Sequence, residues 1–254
     1  MNNSYLTIEI AGQEIQFSAI KNNIVSNEAT VSLSTLDYFE CKKEIDAFLE
    51  LNTFISLEYD ETILSESSKQ SSLVPNNIFA ESSPQAIYKL CFGECASDFN
   101  IDYNRIAEHG IVNIYSTRSW TKRYFVMKFP RITIQNEGTH ILRKVLNKNA
   151  FYLKATVILH KDNFQLTIVK HNQLEYYSFF DYQNHEDVLY HLLFALQQKE
   201  MTDESGTLEI VKALGCEQQT IDSIQEGLKR IKDLNQLKLS LPEYFIPKSQ
   251  LLCV

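Results

Sequence analysis

The chain has 254 residues, only 7 of them glycine, and a formal charge of −8 from 24 basic and 32 acidic side chains. Glycine at roughly 3%, against a usual share of ~7%, leaves little material for loops that wrap phosphates. Hydrophobics at 44% and aromatics at 11% exclude a disordered chain, 5 prolines exclude a collagen-like one, and the acidic excess opposes nucleic acid and anionic membranes.

Met1-Asn2-Asn3-Ser4 has neither the basic nor the apolar region of a signal peptide, and no apolar run is long enough to span a bilayer. Cytoplasmic residence without membrane insertion is therefore expected. Leu6, Ile8 and Ile10 then alternate with polar neighbours, and after Ala11-Gly12 so do Ile15, Phe17 and Ala19. Asn22-Asn23 marks a second turn and Thr30 to Leu33 a third strand. Phe39, Ile45, Phe48 and Leu49 shift to helical spacing behind Ser34 or Thr35 as cap, and Ile55 to Tyr59 returns to strand alternation. The polar run Ser65 to Ser72 predicts a mobile loop or an exposed hairpin tip, and Pro75 ends the short strand after it. A helix is expected from Pro84 to Cys95, a strand over Gly110–Tyr115, a helix over Trp120–Lys128, a strand over Arg131–Ile134 and a helix over Gly138–Leu146.

Near residue 150 the opening pattern restarts. Strands are expected over Phe151–Leu159, Phe164–Ile168 and Leu174–Phe180, with turns at Asp162-Asn163 and His171-Asn172. Asn184 caps a helix whose Val188, Leu189, Leu192, Leu193 and Leu196 form one apolar stripe, and Thr207 to Val211 supplies the next strand. A β-β-β-α-β unit thus occurs twice, about 145 residues apart, without repeated residue identities. The boundary is expected at Asn147-Lys148-Asn149, giving halves 1–149 and 150–254.

Ser72-Leu73-Val74-Pro75 with Ile78-Phe79, the Phe151–Phe180 meander and His185-Glu186-Asp187-Val188-Leu189-Tyr190-His191-Leu192-Leu193-Phe194 resemble a family of uncharacterised bacterial proteins with an actin-like ATPase fold. The resemblance implies an α/β protein of two ribonuclease H-like halves facing a cleft, with pilus-assembly and cell-division actin homologues as relatives by fold. In active members an acidic residue and small residues at each first hairpin serve the metal ion and the phosphates. Here the first hairpin is Glu9-Ile10-Ala11-Gly12-Gln13-Glu14, so Glu9 stands for the metal-side carboxylate and Gly12 is its one glycine. The second, Leu159-His160-Lys161-Asp162-Asn163, has none, and near the adenosine position only Gly215 remains. With Cβ atoms at these turns, a nucleotide is kept from the backbone.

Other constellations have plainer readings. The five cysteines (Cys41, Cys91, Cys95, Cys216, Cys253) are odd in number and scattered, as in a reducing compartment. Cys91 and Cys95 would share a helix face but lack the further ligands of a closed zinc site. His185 and His191 are six apart, about 120° around a helix, so they do not make a zincin pair. Arg118, Lys122, Arg123, Lys128 and Arg131 interleave with aromatics, a pattern that suits single-stranded RNA or a solvated helix with a buried aromatic face. The expected function is that of a non-catalytic cytosolic scaffold that binds an unidentified protein partner, with no cofactor, no metal site and a degenerate nucleotide cleft. The alternative is an actin-like ATP-binding protein or ATPase with atypical phosphate loops, which would use Glu9, Gly12 and Gly215.

Overall fold

The structure, a computed structural model, describes residues 3–147, 151–234 and 236–253. The chain divides into two compact units, Met1–Arg143 with Ile246–Val254, and Lys144–Phe245. The expected boundary touches residues 148 and 149, which lie outside the described residues. The C-terminal segment joins the first unit, where Gln250 Nε2 donates to the carbonyl of Ile8 at 3.0 Å.

The first unit opens with the antiparallel meander β1 (Ser4–Ala11), β2 (Glu14–Lys21) and β3 (Ile24–Ser32). The helix α1 (Tyr38–Leu51) follows, then β4 (Glu61–Glu66), which returns parallel to β1. Next come β5 (Ser71–Pro75), α2 (Pro84–Phe92), β6 (Phe99–Ile106), β7 (Ile111–Arg118), α3 (Ser119–Lys128), β8 (Ile132–Asn136) and α4 (Glu137–Asn147). The main sheet has the order β3-β2-β1-β4-β8, and the other three strands make a separate sheet, β5-β7-β6. Leu6, Ile8 and Ile10 of β1 point to one face, where they join Ile45 and Leu49 of α1 and Phe125 of α3 in a dry core. Alternation at period 2 leaves Thr7 and Glu9 on the other face.

The second unit repeats the plan. Strands β9 (Leu153–Leu159), β10 (Asn163–Lys170) and β11 (Gln173–Asp181) form the meander, followed by α5 (His185–Gln198), β12 (Gly206–Lys212), α6 (Gln218–Leu228), β13 (Leu237–Ser240) and α7 (Phe245–Gln250), the last passing into the first unit. The sheet order, β11-β10-β9-β12-β13, matches that of the first sheet. The likeness extends to local detail. The second hairpin of each meander turns on two residues with positive φ, Asn22-Asn23 and His171-Asn172, as the right-handed strand twist requires. Beside each turn the register slips once, after Ala19 and after Ile168, leaving Ser26 and Glu175 as bulged residues. The stripe on α5 is buried against Ala155, Val157, Leu166 and Ile168, and the Asn184–Asp187 capping box starts the helix.

Several expectations are corrected. The fourth strand is Glu61–Glu66 rather than Ile55–Tyr59; Ile55 is buried from a 3₁₀ turn (Thr53–Ser56) in the α1 core, so its alternation is not a strand signal. The run from Ser65 to Ser72 is neither a mobile loop nor an exposed tip at its ends: Ser65 and Glu66 finish β4, Ser71 opens β5, and all three are buried. Asp37, not Ser34 or Thr35, caps α1, accepting from the Phe39 and Glu40 amides, while Ser34 binds Glu44. Helix α2 stops at Gly93, whose φ of 84° ends it, so Cys95 lies beyond the helix and shares no face with Cys91. Phe99–Ile106 is a strand the sequence reading does not assign, although Phe99, Ile101 and Tyr103 alternate with Asn100, Asp102 and Asn104.

Gly206 is tightly packed, because a Cβ there would overlap the backbone carbonyl of Leu153 on the neighbouring strand, whereas around Gly12 (φ +62°) there is open space. Gly206→Ala is therefore expected to cost about 2–4 kcal/mol. Gly12→Ala is expected to cost only about 1 kcal/mol through its backbone conformation. Urea unfolding of the two variants checks the order; equal losses would contradict this packing.

Candidate functional site

Glu9 is paired on both sides, with Gln16 of β2 and Ser65 of β4, and is only 5% exposed. Burial drives its carboxyl well above the ordinary carboxylate value, and the charges of Glu137 and Glu28 push the same way. Its Oε1 and the Oγ of Ser65 are buried without a hydrogen-bond partner. Glu28 is held on the exposed side by Gln16 Nε2 at 2.9 Å and Ser18 Oγ at 3.3 Å. Gly12 sits in the adjoining hairpin in a left-handed conformation. Among the described residues, no three His, Cys, Asp or Glu side chains converge as metal ligands.

At the C-terminal ends of β4 and β8 lies a polar network that the sequence reading missed. Asn113 Nδ2 donates to Asn136 Oδ1 (3.0 Å) and Thr139 Oγ1 (3.1 Å), and Ser71 Oγ donates to Asn113 Oδ1 (2.6 Å). Asn136 donates from Nδ2 to the Glu66 carbonyl (3.1 Å) and from its amide to Asn104 Oδ1 (2.8 Å), while its own Oδ1 accepts from the Gly138 amide (2.9 Å). The Glu66 carboxylate accepts from Thr117 Oγ1 (2.5 Å) and the Arg118 amide (3.1 Å), which oppose but do not cancel the upward push of burial on its pKa. These bonds tie the small sheet to the main sheet and satisfy the groups they bury. The available signal was an asparagine inside an apolar strand, Ile111-Val112-Asn113-Ile114. His140 of α4 is also fully buried, and its pKa is pushed down to about 3, chiefly by desolvation.

In the second unit the position equivalent to Glu9 is Ile158, one residue before the last paired residue of β9, Leu159, and beside Val211 of β12. It is completely buried, so the second meander has an apolar side chain where the first has a carboxyl. Gly215 (φ +82°) follows β12, and a Cβ there would meet that of Lys161 in the β9–β10 turn at 3.4 Å. Gly215 and the second hairpin are thus neighbours, while Glu9 and Gly12 belong to the other unit. The buried charge of this unit lies deeper in the sheet: Lys154 Nζ meets Glu209 Oε1 at 2.9 Å across β9 and β12, and Thr156 Oγ1 donates to Glu209 Oε2 at 3.3 Å.

The remaining candidates separate. His185 contacts Glu186 at 3.1 Å at the start of α5, and His191 stacks on Phe180 at 4.1 Å. On α3, Lys122 meets Asp102 (3.4 Å), Lys128 meets Asp46 (2.7 Å) and Arg123 lies over Tyr38, while Arg118 lies over Phe99. Tyr124 and Phe125 of the same helix are buried.

Lys154→Met removes the cation that pairs with the buried Glu209 side chain, so a loss of about 3–5 kcal/mol is expected by denaturant unfolding. Adding Glu209→Leu should restore most of it. A double variant no better than the single one would show that the pair does not act as a unit.

No helix among the described residues is long and apolar enough to cross a membrane. A protein of unknown function from Bacteroides thetaiotaomicron VPI-5482 with an actin-like ATPase fold superposes with a TM-score of 0.78 at 17% identity, over 100% of this chain and 96% of that one. A chain of the PilM-PilN type IV pilus biogenesis complex superposes with a TM-score of 0.60 at 8% identity (99% of this chain, 95% of that one). The ethanolamine utilization protein EutJ from Carboxydothermus hydrogenoformans gives a TM-score of 0.53 at 8% identity (99% and 89%). None of the curated proteins matches the chain. The fold is that of the actin-like ATPases, α/β with two ribonuclease H-like halves, as the sequence resemblance implies. Residues 1–230 match the family model described as "Protein of unknown function (DUF3822)", and the chain belongs to that family.

Proposed function

We propose that this protein is a non-catalytic scaffold that retains the actin-like fold to bind a protein partner in the cytoplasm, with a degenerate nucleotide site. The observation that carries this reading is the state of Glu9. Burial and the neighbouring Glu137 and Glu28 raise its pKa, so the ionised form that a metal ion needs is costly there as long as no cation is bound. The second meander offers Ile158 at the equivalent position, and its turn carries Lys161 rather than glycine. The residues present therefore suit a magnesium-nucleotide poorly. Partner binding on this fold has a parallel in the PilM-PilN complex. The free thiols of Cys41, Cys91, Cys95 and Cys216 suit a reducing compartment.

One observation favours the second reading, an actin-like ATP-binding protein or ATPase. Glu9 Oε1 is buried without a partner, as a carboxylate awaiting a cation would be. In that case Gly12 and Gly215 are the close backbone contacts. Thermal melts with and without millimolar Mg-ATP separate the two, since a ligand that binds the native state raises the melting temperature. We expect a shift below about 1 °C and no ATP hydrolysis. A larger shift that Glu9→Ala abolishes would establish nucleotide binding and end the scaffold reading as stated.

A further inference from the structure

The face of the first sheet that carries Thr7 and Glu9 is polar and yet dry: Thr7, Glu9 and Ser65 are each at most 5% exposed. Ser65 is the partner of Glu9 across β1 and β4, so the two side chains stand side by side. Part of the cover comes from the end of the chain. Ile246–Val254 belongs to the first unit although the whole second unit intervenes. From this segment Gln250 Nε2 reaches the carbonyl of the Ile8–Glu9 peptide, and Ile246, Ser249 and Gln250 are buried. Ile246 packs outside the core beneath α1, which puts the segment on the Glu9 face. The bonding there is incomplete. Glu9 Oε1, Ser65 Oγ and Gln250 Oε1 are all buried without a hydrogen-bond partner, and Ser249 Oγ turns back to the Ile246 carbonyl of its own helix (2.6 Å). Water would satisfy all three oxygens, so their burial works against closure.

We propose that Ile246–Gln250 is a releasable strap, which covers the Glu9 face when shut and, by lifting from its free end, opens Glu9 to solvent and small solutes while the sheet stays folded. Two features hold it shut, the buried Ile246 side chain and the Gln250 bond to the Ile8 carbonyl. The unsatisfied oxygens favour release, because opening returns them to water. The strap is anchored where it starts. There the Phe245 carbonyl accepts from Lys144 Nζ at 2.6 Å, and that ammonium lies 3.8 Å from the centre of the Phe245 ring, both residues being in the second unit. Past Gln250 the chain comes to the surface, with Leu252 at 45% exposure, so the end is within reach of another molecule. Binding of that end would lift the strap and so control access to Glu9. The device is independent of the partner-binding reading above.

Native-state hydrogen exchange of the full chain in low urea tests the strap, together with labelling of Glu9 by a water-soluble carbodiimide and glycinamide. The amides of Ser249 and Gln250 are expected to exchange at least about tenfold faster than those of β1 and β4 and almost independently of urea, the mark of a local opening. Labelling of Glu9 should follow the same course. Ile246→Ala, which removes the apolar hold, should speed both by the same factor, at least about tenfold. If Ile246→Ala fails to fold by circular dichroism, Gln250→Ala takes its place, again with both rates rising together. Ser249 and Gln250 amides that exchange with the urea dependence of β1 would overturn the proposal. So would Glu9 labelled only as the sheet unfolds, Glu9 labelled as fast as an exposed carboxyl, or a variant that frees the amides and leaves the labelling rate unchanged.

Discussion

The register of the central strands constrains everything else in this protein. In each unit the first strand of the meander lies between an antiparallel and a parallel neighbour, so its side chains are committed to one face or the other along its whole length. In β1 that places Leu6, Ile8 and Ile10 in the core beneath α1 and sends Glu9 to the opposite face. In β9 the same rule sends Ala155 and Val157 to the core and Lys154, Thr156 and Ile158 to the other side. A slip of one residue would exchange the two sets, which the cores cannot tolerate. Glu9 is thus held where it is by the burial of its neighbours.

The two halves share this framework and use it differently. The pairing, the two-residue turns and the bulges recur at equivalent positions, while the side chains on the non-core face diverge. One half buries a carboxyl with an unpaired oxygen at this position; the other buries a lysine–glutamate pair deeper in the sheet and an isoleucine where that carboxyl would be. Such differences at equivalent positions are informative because the backbone requirement is the same at both, so whatever differs belongs to this chain's use of the fold.

Much of this was legible in the sequence. Period-2 alternation located the meanders, the α5 stripe and its Asn184 cap located the strongest helix, and the motifs of the resemblance identified the fold. Other parts were hidden for physical reasons. Ile55 is buried from a 3₁₀ turn, so alternation around it imitated a strand. Glu66 and Ser71 look like loop residues because nothing local reveals the distant Thr117 and Asn113 that satisfy them. At the candidate site the sequence identified Glu9, Gly12 and Gly215 as residues to examine. It did not reveal that Glu9 is sealed between two strands, nor that Gly215 adjoins Lys161, since both depend on register across long separations.

The central proposal is that Glu9, a buried carboxyl with a raised pKa, does not serve as a metal ligand. Carbon-detected NMR titration of its side chain in the full chain, assigned with Glu9→Gln and run with and without Mg-ATP, tests it most directly. The account predicts a midpoint well above the ordinary 4.5, unmoved by millimolar Mg-ATP. A midpoint at or below 4.5, or one that falls when Mg-ATP is added, would contradict it.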